Sequence, residues 1–298
     1  MKKGINKIGY FSLKTFWKIL SLIPLKILYL LSDFIYFVVY YLSKYRRKIV
    51  RKNLNFAFPQ KSEKELIKIE KDFYRFFCDI FFETSKIAFW SEKKIMKHLQ
   101  FVNYEEINEL IRQKKSISLF LGHYGNWEWV SSMSLWLDKS IAGAEIYKPL
   151  KNTTANKIII ENRERYGVKC VEMKETLWWI NEQKNNRKVS VTGYIADQSP
   201  SKKDSKYFVN FLNKKVPAYI GAEKITKKYN FEAYYVEVQR IKRGYYVAEF
   251  KKLHQNPAEL PETELTKIFY RQLEKTIQNS PACYLWSHNR FKYALIEN

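Results

Sequence analysis

Residues 117–129 read ISLFLGHYGNWEW, and this stretch combines a strand, a tight turn and a helix start. The apolar run Ile117–Leu121 predicts a buried strand. Two glycines then permit a tight turn, and Asn126 is a suitable N-cap for a helix that begins at Trp127. The sequence therefore places a histidine at the carboxyl end of a strand and a glutamate in the first turn of a helix.

These two residues, His123 and Glu128, have the spacing of a His-x4-Glu dyad. A carboxylate beside an imidazole can fix its tautomer and stabilise its charged form. The same spacing also fits a histidine packed in a turn, with a first-turn acid favoured by the helix dipole. The pair is thus a candidate catalytic dyad that needs support from the rest of the chain.

The composition predicts an anionic partner. The chain has 298 residues and a net charge of +23, so nucleic acid, an anionic membrane or a phosphorylated substrate all fit. An aromatic content of 17% suits a protein at a water–lipid boundary. The three cysteines are scattered, which favours a reducing compartment. No His-Glu-x-x-His motif occurs, and we expect neither a metal ion nor a bound cofactor.

The amino-terminal region is apolar from Phe16 to Leu42, with Lys26 and Asp33 as its charged residues and Pro24 as an interruption. About 20 apolar residues can cross a bilayer, but the internal charges favour an interfacial anchor or a shallow hairpin. A buried helix pair in a soluble protein is the alternative. Basic residues flank both ends: Lys2, Lys3, Lys7, Lys14 and Lys18 before, and Lys44, Arg46, Arg47, Lys48, Arg51 and Lys52 after.

Strand-like and helical patterns alternate through the middle of the chain. Strands are predicted at 116–121, 141–146, 168–171 and 189–195, with helices at 127–137, 152–166 and 174–183 between them. This alternation predicts an α/β fold with a mostly parallel central sheet flanked by helices. The remaining predictions are helices within 61–115, a strand at 208–212, a helix at 218–228, a hairpin of 231–241 with 245–250, and a helix at 262–278. We expect residues 1–45 to form a membrane-anchoring segment and residues 46–298 to form one α/β domain.

Further polar residues follow the predicted elements. Asp197 comes after the strand at 189–195, so it should lie near His123 if the two strands are parallel neighbours. A plain turn would also explain it. Arg163 and Arg165 lie on one predicted helix, where either could reach Asp197 or an anionic substrate, or simply face solvent. Near the carboxyl terminus, His288 and Arg290 could bind a phosphate at a lipid surface, or belong to a packing segment.

Several function classes lack their signatures. The sequence contains no Gly-x-Ser-x-Gly elbow, no P-loop and no Gly-x-Gly-x-x-Gly, so serine hydrolases and nucleotide-dependent enzymes are disfavoured. A basic nucleic-acid-binding protein is the alternative from another class, but no helix-turn-helix, zinc-finger or RNA-recognition signature occurs.

Taken together, these positions resemble the lysophospholipid acyltransferase superfamily, and in particular the late acyltransferases of lipid A biosynthesis. The ordered set covers about residues 20–292. It comprises Leu121-Gly-His-Tyr-Gly-Asn-Trp-Glu128, Ala196-Asp-Gln-Ser199, Val216-Pro217 with Gly221 and Ala222, and Trp286-Ser-His-Asn-Arg290.

The resemblance implies an enzyme that moves a fatty acyl group from an acyl-carrier-protein thioester to a hydroxyl of a lipid A precursor. It implies work at the cytoplasmic face of a bacterial inner membrane, with an anionic, phosphorylated lipid as partner and no nucleic acid. It implies a catalytic dyad of His123 and Glu128, supported by a pair of Arg163 and Asp197. We assign substrate-binding roles to Asn126, Arg165, Gln198, His288 and Arg290. An acyltransferase of the same fold that acts on a glycerolipid or another membrane lipid remains open.

Overall fold

A computed structural model describes residues 7–295 of the chain. Its strands are β1 (Leu99–Val102), β2 (Ile117–Leu121), β3 (Ala142–Tyr147), β4 (Lys169–Glu172), β5 (Ser190–Ile195), β6 (Tyr207–Phe211), β7 (Lys214–Ala218), β8 (Glu232–Lys242) and β9 (Tyr245–Lys252). Its α-helices are α1 (Lys7–Leu22), α2 (Leu25–Phe37), α3 (Arg47–Ala57), α4 (Glu63–Ile87), α5 (Glu92–His98), α6 (Tyr104–Arg112), α7 (Thr153–Glu164), α8 (Thr176–Asn185), α9 (Gly221–Tyr229) and α10 (Glu264–Asn279). A π-helical turn, Val38–Leu42, extends α2, and short 3-10 segments include Trp129–Leu135 and Met173–Glu175.

Seven of these strands form one mixed sheet with the order β1-β9-β8-β2-β5-β3-β4. The five strands β8, β2, β5, β3 and β4 are parallel, as the alternating pattern predicts. The predicted hairpin is also confirmed, and it makes β9 antiparallel to β8. Strand β1 lies in the region predicted as helical; it pairs with β9, where it extends the sheet. Strands β6 and β7 form a separate hairpin, of which only the first strand was predicted.

The centre of the sheet is β2, and each of its five residues is buried. Its register pairs Leu121 with Ile195 of β5, so the residues that follow both strands emerge side by side. A continuous apolar strand suits this central position because helices cover both faces of a parallel sheet. The sheet therefore brings the residues after β2 and β5 to one edge.

The predicted helix at 127–137 is instead a 3-10 segment, Trp129–Leu135. The side chains of Ser131 and Ser132 donate hydrogen bonds to the carbonyls of Glu128 and Trp129, three residues earlier. Such local bonds favour tighter turns over a regular α-helix. Asn126 still acts as a cap, because its Oδ1 accepts the backbone N–H of Trp129 at 3.2 Å.

The amino-terminal helices pack one face on α4 and expose the other. Leu28 is fully buried, and the Ser32 hydroxyl donates to Asp79 of α4 at 2.7 Å. On the outer face, Leu30 and Phe34 are 71% and 63% exposed. Leu25–Leu42 is long and apolar enough to cross a membrane by length and composition, and 22% of it is buried inside the protein. Lys2 and Lys3 of the predicted basic flank lie outside the described residues.

Candidate active site

The imidazole of His123 is held by the carboxylate of Asp197. Nδ1 of His123 lies 2.6 Å from Oδ1 of Asp197, and both side chains are largely shielded from solvent. The sheet causes this meeting, since His123 follows β2 and Asp197 follows the neighbouring β5. Burial alone would raise the pKa of Asp197, but the adjacent His123 outweighs it and lowers that pKa. Asp197 therefore stays ionised and holds the Nδ1 proton of the imidazole.

With Nδ1 bound to Asp197, Nε2 is the atom left for proton transfer. Nε2 lies 3.1 Å from the side-chain amide nitrogen of Gln198, which donates to it. The His123 ring also meets the Trp127 ring edge-on, with centroids 5.4 Å apart. Gln198, expected to bind substrate, thus contacts the imidazole nitrogen that faces away from Asp197.

Glu128 pairs with an arginine and makes no direct bond to His123. Arg163 donates from Nε to Oε2 of Glu128 at 3.0 Å and from Nη2 to Oε1 at 2.8 Å. The predicted pairings of His123 with Glu128 and of Arg163 with Asp197 are therefore wrong; the partners are exchanged. The reason is geometric. Helix α7, which carries Arg163, packs against the 3-10 segment that follows Glu128, whereas Asp197 leaves the sheet beside His123.

The arginine lies between two carboxylates. Nε of Arg163 is 3.6 Å from Oε2 of Glu145, a residue of β3. Burial opposes the charge of Arg163, but the attraction of Glu128 and Glu145 outweighs it and raises the arginine's pKa. Burial likewise opposes the charge of Glu128, yet Arg163 lowers the pKa of this carboxyl. Glu128 and Arg163 thus form a fixed ion pair at the site.

Glu145 is the site residue that the sequence reasoning missed. Burial raises its pKa to about 7, with Arg163 opposing the shift. The signal available in the sequence was a single acid inside an otherwise apolar strand, Ala142–Tyr147. Such a residue is costly to bury unless it is paired or protonated.

Two residues expected to bind substrate belong instead to the framework. Asn126 is fully buried and donates to Glu83 of α4 at 3.0 Å, so it fixes the turn after His123. Arg165 donates to the carbonyls of Ala88 and Trp90, just after the end of α4. Both side chains make hydrogen bonds to other groups of the protein, so each has a structural role.

The carboxyl-terminal segment packs directly against the histidine turn. The backbone N–H of Leu285 donates to the carbonyl of His123 at 3.1 Å. Arg290 is 1% exposed and donates to Ser199 and Tyr270, each at 2.9 Å. This burial leaves Arg290 no open surface for a phosphate, in contrast to the expected substrate contact, and it supports the packing interpretation.

His288 lies in the same segment and accepts the backbone N–H of Ser199 through Nε2 at 3.2 Å. Burial lowers the pKa of His288 to about 4, so this imidazole is neutral near neutral pH. A neutral ring that already accepts a hydrogen bond holds the Asp197–Gln198–Ser199 loop in place. The expected phosphate contact is therefore not favoured at His288 either.

Two apolar cavities meet at Trp127, beside the histidine. A narrow cavity between the sheet and the 3-10 segment Trp129–Leu135 is lined by Leu121, Val130 and Ile141. Glu145 and Arg163 also line it. A wider open groove of about 640 Å³ runs from α1 and α2 along α4 to Trp127 and Glu128. The walls of both are mainly aliphatic and aromatic, which suits alkyl chains.

Metal chemistry was not expected from the sequence. Across residues 7–295, no group of three or more His, Cys, Asp or Glu side chains is placed to hold a metal ion.

A histidine–carboxylate pair at the carboxyl edge of a mostly parallel sheet, beside apolar cavities, is typical of an α/β enzyme whose active site lies beyond the strand ends. Residues 5–293 match the family model described as bacterial lipid A biosynthesis acyltransferase. The chain is 24% identical over 271 residues to a lipid A biosynthesis palmitoleoyltransferase of Escherichia coli K12, with 84% of this chain and 79% of the relative covered. It is 25% identical over 254 residues to the lipid A biosynthesis lauroyltransferase of the same strain, covering 84% and 80%. The chain therefore belongs to the bacterial lipid A biosynthesis acyltransferase family, and it is an acyltransferase.

Proposed function

We propose that this protein transfers a fatty acyl group from an acyl-carrier-protein thioester to a hydroxyl of a lipid A precursor at the cytoplasmic face of a bacterial inner membrane. The observation that carries the proposal is the 2.6 Å contact between His123 and Asp197 beside two apolar cavities. The relatives are named for lipid A acylation, which supports this acceptor class.

In this proposal His123 is the general base. The acceptor hydroxyl replaces the Gln198 amide at Nε2 and gives its proton to the imidazole as the oxygen attacks the thioester carbonyl. Asp197 stabilises the imidazolium through the Nδ1 proton. The carbon–oxygen bond forms, the carbon–sulfur bond breaks, and the leaving thiolate takes the proton back from Nε2. The atoms then balance, with no redox partner required.

Glu128 acts in this proposal through Arg163. The bidentate pair fixes the guanidinium in the wall of the narrow cavity, where a positive charge stabilises the developing oxyanion of the thioester. Glu128 is thus a positioning residue, whereas the resemblance implied a direct partner of the base. The narrow cavity that touches Arg163 is the place we assign to the donor acyl chain.

The test uses the purified full-length protein with an acyl-carrier-protein thioester and two competing acceptors, a Kdo-modified lipid A precursor and a lysoglycerolipid. Mass spectrometry of the lipids identifies which acceptor gains an ester. A new ester on the lipid A precursor that is absent with a folded His123→Ala variant is the expected result. Acylation of the lysoglycerolipid alone would replace the proposed acceptor, and full activity of the variant would overturn the proposed base.

The net charge of +23 fits an acidic carrier protein and an anionic lipid alike. For this reason the carrier is tested separately, with a small-molecule thioester of the same acyl chain as the comparison donor. Equal rates at equal concentration would contradict a role for the carrier protein.

A further inference from the structure

Four exposed apolar side chains lie far along the chain from the amino-terminal helices. Met173 and Leu177 are each 47% exposed, Trp178 is 64% exposed, and Leu150 is 47% exposed. Met173 and Leu177 are four residues apart in a helical stretch, so their side chains share one face. Trp179 and Ile180 are buried and hold α8 on the sheet. We call Leu150, Met173, Leu177 and Trp178 the α8 patch.

The α8 patch lies at the same edge of the sheet as the active site. Tyr147 of β3 pairs with Glu172 of β4, so Lys148 and Met173 leave the sheet side by side at the carboxyl edge. His123 and Asp197 leave β2 and β5 at this edge too. The patch and the histidine–carboxylate pair therefore face the same side of the molecule.

One pocket joins the patch to the strand that precedes Asp197. Its lining includes Met173 and Thr176 as well as Ile195 and Ala196. Ala196 directly precedes Asp197 in the chain. The groove from α1 and α2 reaches Trp127 as well, so a second apolar surface borders the active site.

The rim of the patch is rich in lysine. Lys148, Lys151 and Lys174 are exposed, and the nearby acids are Glu175 and Glu172, the latter paired with Lys174 at 3.2 Å. Lysine is depleted in protein–protein interfaces, whereas lysines around exposed Trp and Leu side chains are typical of anionic membrane surfaces. The composition thus favours lipid over a second copy of the chain.

We propose that the α8 patch is a second membrane contact, separate from the amino-terminal helices, which inserts Trp178 and Leu177 into an anionic bilayer surface. Two separate contacts would hold the active-site edge against the bilayer. A lipid acceptor could then enter without leaving the interface. This use of the surface rests on the proposed function, but membrane contact of the patch itself does not require turnover.

The test attaches an environment-sensitive fluorophore to Leu177→Cys in the full-length chain, with the half-exposed Cys170 replaced by serine. The matched control carries the label at Lys188→Cys, an exposed position beyond the far end of α8. Each protein is mixed with vesicles of phosphatidylcholine, with or without phosphatidylglycerol, that contain a lipid-bound quencher. We expect several-fold stronger quenching at 177 than at 188, and an increase with phosphatidylglycerol.

Equal weak quenching at both positions while the protein sediments with the vesicles would overturn the proposal. So would a label at 177 that is shielded from water without lipid and depends on protein concentration, because that would show a contact between copies. The His123→Ala background should give the same quenching pattern. A failed acyl-transfer assay would thus leave this result standing, and the two proposals can fail separately.

Discussion

Nδ1 of His123 lies 2.6 Å from a carboxylate oxygen of Asp197, a residue 74 positions further along the chain. Parallel pairing of β2 with β5 creates this contact, because each residue is the second after the end of its strand. The contact makes Asp197 the group that orients the His123 imidazole, and Glu128 pairs with Arg163 instead.

Replacement of Asp197 by asparagine should therefore lower acyl transfer strongly. The amide cannot accept the Nδ1 proton as a carboxylate does, so the imidazole loses both its orientation and the stabilisation of its charged form. We expect a loss on the order of 10²–10⁴-fold, comparable to the loss in His123→Ala. Steady-state rates with near-wild-type circular dichroism check this. Wild-type turnover in Asp197→Asn would contradict the orienting role.

Glu128 and Arg163 should be energetically coupled, since they share two hydrogen bonds. Removing either partner leaves a largely buried charge, which we expect to cost up to about 3 kcal/mol of unfolding free energy. Glu128→Gln with Arg163→Gln should cost less than the sum of the two single changes. Denaturant unfolding in detergent measures all three variants.

The matched control for that cycle is Asp197→Asn combined with Arg163→Gln. These two residues have different hydrogen-bond partners, so their losses of unfolding free energy should add. Arg163→Lys should also lower acyl-transfer activity, because a lysine cannot form the bidentate contact with Glu128. Strong coupling in the control cycle would restore the originally expected Asp197–Arg163 pair.

Glu145 should make stability depend on pH. Its pKa is raised from 4.5 to about 7 in the folded state, so the unfolded chain loses this proton at lower pH. The contribution of Glu145 to the unfolding free energy should be largest below about pH 4.5 and should fall as the pH rises toward 7. Glu145→Gln should remove this fall, which is at most a few kcal/mol. Unfolding midpoints of the wild type and of Glu145→Gln are measured between pH 5 and 8. The same pH dependence in both proteins would contradict the prediction.

Gly193 should help set the length of the transferred acyl chain. It lines the narrow cavity, and a methyl group added there would meet Ala144 and Leu121 at ordinary contact distances of 3.7 Å. We therefore expect Gly193→Ala to fold normally and Gly193→Val to prefer shorter donors. Competition between acyl-carrier-protein thioesters of different length measures this preference. Gly221→Ala is the control, because an added methyl there meets nothing within 4 Å.

The exposed face of α2 should bind the membrane. Leu30→Glu with Phe34→Glu places two charges on this face, and we expect release of the protein from vesicles without loss of fold. Val102→Glu, at a half-exposed position of β1, is the matched control and should stay bound. Vesicle flotation compares the two. Retention of the double variant at high salt would argue against this role of α2.

Deletion of residues 1–43, a simpler experiment suggested by the sequence, is less informative. The Lys86 ammonium is buried and donates to the carbonyls of Leu20, Ser21 and Ile23, while Asp79 accepts from Ser32. Truncation would leave these groups buried without their partners, so we expect it to destabilise the remaining domain. Point substitutions on the exposed face avoid this loss.

The sequence alone determined six of the seven strands of the large sheet, all but β1, and which residues follow them. Apolar runs such as Ile117–Leu121 predict buried strands because their local pattern leaves few alternatives, and their alternation with helices predicts parallel pairing. The place of Asp197 near His123 followed from that pairing. Local patterns were less decisive where side chains bond to the backbone. For that reason the serine-rich segment 127–137 contains a 3-10 segment in place of the predicted helix.

Only the tertiary structure decided which charged groups pair and which meet the substrate. The sequence spacing favoured a His123–Glu128 dyad, but spacing cannot tell where α7 carries Arg163. Long side chains choose partners over several ångströms, and the choice depends on the packing of elements distant in sequence. For the same reason, burial turned Asn126 and Arg290 into framework residues and brought Glu145 to the arginine. The strands could be predicted from local sequence patterns. The pairing of charged side chains depended on the positions of all neighbouring elements in the folded protein.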